Sequence, residues 1–79
     1  MITSSQIKAA RSLLGWTARE LAAKSEIGFS TIIRLEASDG VPSSNVKTLD
    51  SIQKTLERSG IQFIGSPEDG PGVRLFNKD

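Results

Sequence analysis

A chain of 79 residues has room for one core, because a domain of this size hides only about 60% of the surface its unfolded form exposes. With 37% hydrophobic and 24% charged residues it lies outside the composition of disordered chains. The absence of cysteine and histidine excludes disulfides and thiolate metal sites and removes the commonest metal ligand and general base, so neither an enzyme nor a cofactor is expected.

The net charge of +1 is spread over both halves without a tail of one sign, so attraction to an anionic partner would have to come from clustering on one face. Apolar runs are only a few residues long, and Met1 to Ser5 lacks the basic and then apolar layout of a signal peptide. These features predict a cytoplasmic protein with no membrane contact.

Taken in chain order, Thr3, Ser4 or Ser5 can cap a first helix, in which Ile7, Ala10 and Leu13 or Leu14 recur at helical spacing before Gly15 ends it. Thr17 and Glu20 form a T-x-x-E capping box that starts a second helix, with Trp16 placed to pack on Leu21 as a hydrophobic staple. Leu21 and Ala22 supply its inner face, and the helix runs out between Lys24 and Glu26. A third helix begins near Phe29 and turns Ile32 and Leu35 inward, with Ile27 behind them, while Ser30, Ile33 and Arg34 fall on other sides. Asp39-Gly40 marks a turn. Pro42, Ser43 and Ser44 open a fourth helix with Val46, Leu49, Ile52 and Leu56 on its apolar face, ending at Gly60. Ile61 to Ile64 and Val73 to Phe76 read as strands joined by a turn over Ser66 to Gly72. The expected fold is mainly α, four helices with a small C-terminal β-hairpin.

Two short helices joined by a tight turn, with small Ala22 at their crossing, meet the demands of a helix-turn-helix. The segment from Thr17 to Lys24, then Ile27, then Ser30 to Glu36, with Ile7 and Arg11 before it and Pro42, Ser43 and Leu49 after it, resembles the xenobiotic-response-element (XRE) family of the lambdoid repressors and Cro. The resemblance covers about the first sixty residues. It implies a lambda-repressor-like domain over residues 1–60 and leaves residues 61–79 as a hairpin extension available for dimerisation.

The resemblance also implies a regulator of transcription, a repressor, that binds double-stranded DNA as a homodimer and lays its third helix in the major groove. It turns Gly28, Phe29, Ser30, Ile33 and Arg34 toward DNA. Arg34 has the fork of donors that matches guanine O6 and N7, Ser30 can bond a base edge or a phosphate, and Phe29 or Ile33 can meet a thymine methyl. A solvated arginine or a phosphate contact is the plainer reading of Arg34. Thr17 and the region of Ser44, Asn45 and Lys47 stand at helix starts that can hold phosphates, or simply cap. Arg11 and Glu36 occupy positions that commonly pair in this family, a structural role.

Two departures stand out: Glu26 where the family usually has a turn glycine, and Ala18 where it often has a glutamine that touches the DNA backbone. Either Glu26 takes a left-handed conformation at a cost of about 1 kcal/mol, or Gly28 takes over the special angles. The apolar residues of the reading face leave room for a protein partner, and the alternative function is an antitoxin that binds a toxin and its own operator. Because an isolated hairpin is unstable, Ile61, Phe63, Val73, Leu75 and Phe76 must bury either on helix 4 or against a second subunit. Arg74 is a solvated strand residue or one more phosphate contact. No sensor domain for a small-molecule effector is expected in so short a chain.

Overall fold

In the computed structural model, which describes residues 2–76, four helices precede two strands. They are α1 (Ser4–Leu14), α2 (Ala18–Ser25), α3 (Phe29–Glu36), α4 (Val46–Arg58), β1 (Ile61–Ser66) and β2 (Asp69–Leu75). Met1 and the last part of the 61–79 extension, residues 77–79, lie outside the described residues.

Each helix starts where a side chain meets a main-chain donor that no helical carbonyl reaches, except α3, whose cap is Gly28. Thr3 is the cap of α1: its Oγ1 accepts from the Gln6 N–H at 3.1 Å, and the Gln6 carboxamide oxygen accepts from the Thr3 N–H at 2.8 Å. Thr17 and Glu20 repeat that reciprocal box at α2. Gly15, at φ 72°, closes α1 in the left-handed cap that needs no Cβ.

The start of α4 differs from the expectation. Asn45, not Ser44, is the cap, its Oδ1 accepting from the Thr48 N–H at 2.8 Å, and the helix begins at Val46. Val46 therefore sits in the opening turn, where it lines a shallow cleft with Ile2 and Leu49 but stays 73% exposed, so the apolar face is not covered at its first position; Pro42 is buried in the approach to the helix.

The core gathers Ile7 and Ala10 of α1, Leu21 and Ala22 of α2, Ile32 and Leu35 of α3, and Leu49, Ile52 and Leu56 of α4, together with Ile2 and Ile61. Leu14 packs against this cluster, as do Trp16 and Ile27, whereas Leu13 faces out. The turn between α2 and α3 puts its special angles on Glu26, at φ 59° and ψ 33°. Gly28 caps α3 at φ −58° and ψ 142°, angles open to any residue.

The hairpin is longer and its loop tighter than the sequence suggests. Ile61 faces Leu75, Phe63 faces Val73, Ile64 faces Gly72 and Ser66 faces Asp69, so only Pro67 and Glu68 form the loop and the turn does not extend over Ser66 to Gly72. Gly70, at φ 63°, and Pro71 together oppose Gly65. This bulge lets β2 begin early and places Pro71 where no ladder N–H is needed. Gly65, at φ 76°, has no room for a Cβ, which would run into the carbonyl oxygen of Gly70.

The hairpin folds back on its own chain, β2 against α1 and β1 against α4. Buried Gln6 clasps it: Nε2 donates to Ile64 O at 3.2 Å and to Gly72 O at 2.9 Å, while its oxygen caps α1. Ile61 is buried, and Phe63 and Val73 pack partly against the core. Leu75 and Phe76 are exposed on this chain, so neither of them buries on helix 4. Leu75 ends its strand, and alternation puts Phe76 on the side of Arg74, whose guanidinium lies over the Phe76 ring at 5.0 Å. Arg74 also donates to Gln62 across the hairpin. Among the described residues no helix is long and apolar enough to cross a membrane.

Candidate nucleic-acid interface

Of the eight residues of α3, all but half-buried Phe29 and Thr31 fall to one side or the other. Ile32, Leu35 and Glu36 are buried, while Ser30, Ile33, Arg34 and, just past the helix, Ala37 are exposed. Steps of three, four and seven residues place those four on one solvent face. Gly28 is exposed at the head of the helix and supplies no side-chain cap. Phe29 stands apart from this face: it is half-buried against the core, and the Arg19 guanidinium lies over its ring, 4.2 Å from the centroid.

The rear of α3 is anchored by charge. Arg11 Nε and Nη2 donate to the two oxygens of Glu36, each at 2.9 Å, and Arg11 Nη1 donates to Trp16 O at 3.1 Å. One guanidinium thus ties α1, the link into α2 and the last turn of α3, with the fork geometry that makes arginine and carboxylate pairs strong. The hydrogen bond that Arg11 donates to Glu36 raises the Arg11 pKa further above its already high ordinary value, against a smaller opposing effect of burial. Ser4 Oγ donates to Leu35 O at 2.6 Å and fixes the same end.

Around this helix lie the starts of α2 and α4. Thr17 is exposed, but its N–H and hydroxyl are both engaged by Glu20, so a phosphate at Thr17 competes with that carboxylate. The Glu20 carboxyl is held below the usual carboxylate range, chiefly by the Thr17 N–H and then by its hydroxyl. Arg34 Nη1 donates to Ser43 O at 3.0 Å, which draws the approach to α4 toward the end of α3. Ser44 there is half-buried, and Asn45 and Lys47 are exposed.

A family model described as Helix-turn-helix matches residues 7–60. The chain belongs to the XRE, lambda-repressor-like helix-turn-helix family. It is accordingly a DNA-binding helix-turn-helix regulator with a lambda-repressor-like fold, and the match stops before β1. No curated protein matches the chain.

Within the helix-turn-helix, the structure brings Ser30, Ile33 and Arg34 onto one face, with Gly28 at its head and the Ser44 to Lys47 region linked to its far end through Ser43. It sets Phe29 partly aside, and it gives Arg11 and Glu36 to each other. Two residues escaped the sequence reading. Gln6 carries a signal in hindsight, since Thr3 and Gln6 have capping-box spacing, but its second role depends on strands far along the chain. Arg19 carries none, because its meeting with Phe29 exists only once the turn at Glu26 has folded.

Proposed function

We propose that this regulator acts in the cytoplasm as a repressor, binding operator DNA as a homodimer with α3 in the major groove. The observation that carries the reading is the division of α3: one face is locked into the core and onto Arg11, and the opposite face offers a hydroxyl, a branched alkyl group and a guanidinium to solvent. That mixture suits base edges. Arg34 can exchange its bond to Ser43 O for the acceptor pair of a guanine, Ser30 for a base edge or phosphate, and Ile33 can meet a thymine methyl. Gly28 allows close approach, and Thr17, Ser44, Asn45 and Lys47 flank the helix as contacts to the sugar-phosphate backbone.

Dimerisation through residues 61–79 is supported by the sheet, whose two strands have no further strand partner among the described residues and so keep an outer edge each. A pair of reading helices then meets half-sites about 34 Å apart. The antitoxin reading is favoured by one observation, the exposure of Ile33 at the centre of the face, and copurification of a second chain would support it.

Selection of duplexes from a randomised pool, followed by binding across a salt series, tests the proposal. A two-fold symmetric site should emerge, and Arg34→Ala should lower the preference for it by about 1–3 kcal/mol. Failure to enrich any sequence overturns the reading.

A further inference from the structure

Arg19 is placed against local electrostatics. It is the second residue of α2, and the first turn of a helix carries the positive end of its dipole, where a further cation is disfavoured. Glu20 does not compensate, because its carboxylate is turned back onto the Thr17 N–H at 2.8 Å. Among the described residues no carboxylate lies within ion-pair distance of Arg19, and no oxygen accepts from its N–H groups. What holds it is the Phe29 ring, 4.2 Å from the guanidinium carbon.

The ring attracts the guanidinium through its π face and takes none of the N–H donors. Phe29 is the first residue of α3 and is itself wedged against the core, so the cation is carried on a fixed platform at the junction of the two helices. Its charge is held in place without being neutralised, so an arriving anion would stabilise the arrangement further.

We propose that Arg19, seated on Phe29, is a phosphate clamp. It would grip one backbone phosphate of bound duplex through the forked pair of N–H groups that suits phosphate oxygens, and Phe29 is its platform and not a reader of thymine. The inference rests on the reading of α3 as the groove-facing helix, since that pose brings the α2–α3 junction beside the sugar-phosphate backbone.

The test is a salt series on both the selected duplex and a random one. Arg19→Gln should make the log–log salt dependence shallower by about 0.9 on both duplexes, which amounts to about an eightfold loss at 0.1 M salt, with the ratio of specific to random affinity unchanged. Arg19→Lys should keep the slope and lose affinity, and Phe29→Leu should do the same by freeing the guanidinium; a thermal melt of each variant checks folding. Unchanged slope and affinity in Arg19→Gln overturn the clamp, as does a fall in the specificity ratio, which would make Arg19 a base reader. Absence of any sequence preference in the wild-type protein overturns the groove reading alone, because the random duplex still reports the phosphate contact. Absence of all duplex binding overturns both.

Discussion

Replacing Glu26 by glycine should stabilise the protein. Glu26 is the one non-glycine residue with positive φ among the described residues, at 59°, and a Cβ in that conformation costs about 1–2 kcal/mol. Glycine removes this cost but brings a more flexible unfolded chain, which takes back about 0.4–1 kcal/mol. The net gain is about 0.5–1 kcal/mol, or a rise in Tm of about 3–6 °C for a domain of this size. Glu26 also closes the C-terminal end of α2, where a negative charge is itself unfavourable, so Glu26→Gln is the necessary control: it removes the charge and keeps the strained backbone. Thermal unfolding followed by far-UV circular dichroism and by the fluorescence of the single tryptophan, Trp16, reads both variants. Glu26→Gly should melt higher than Glu26→Gln. Equal melting points, or a lower one for glycine, would refute the argument that strain at this φ is what the substitution relieves.

Three further outcomes follow from the packing. Gly65→Ala should cost about 2 kcal/mol or more, combining a disfavoured φ with a clash against the opposite strand, and an unchanged melt would count against the bulge geometry. Arg11→Met alone should cost about 3 kcal/mol by leaving the Glu36 carboxylate buried without its partner, whereas adding Glu36→Met should recover part of the loss in urea unfolding. A double variant as unstable as the sum of the two single ones would show that the pair does not couple. Glu20, whose carboxyl is depressed in the folded protein by the Thr17 N–H, contributes stability that is complete above the unfolded carboxylate range and disappears as pH falls through the folded value. The melting difference between wild type and Glu20→Gln should therefore shrink on acidification, and a constant difference from neutral to acid pH would refute the assignment.

Where a feature depends on neighbours in the chain, the residues announce it. The box at Thr17, the Gly15 cap and the inward set of Leu21, Ala22, Ile32 and Leu35 are local patterns, and each is found where spacing places it. The early start of β2 was hidden because Gly70, Pro71 and Gly72 are poor strand formers, admitted here by a bulge that no local pattern reveals. Val46 misled because periodicity says which face a residue takes but not where the neighbouring helices stop. In the interface, the solvent face of α3 was legible from its period. The capture of Phe29 by Arg19 was not, since it unites two helices through a turn whose unusual angles fall on a glutamate.

The clasp made by Gln6 also bears on how the chain reaches its fold. Its two bonds to the hairpin span 58 and 66 residues, and loops of that span are slow to close because their entropy must be met before the contact repays it. Until β2 is in place, the amide that caps the first helix has only water for its two N–H groups. The start of α1 is thus tied to the hairpin, and a chain cut short of Gly72, which loses that acceptor, should melt lower than the intact one.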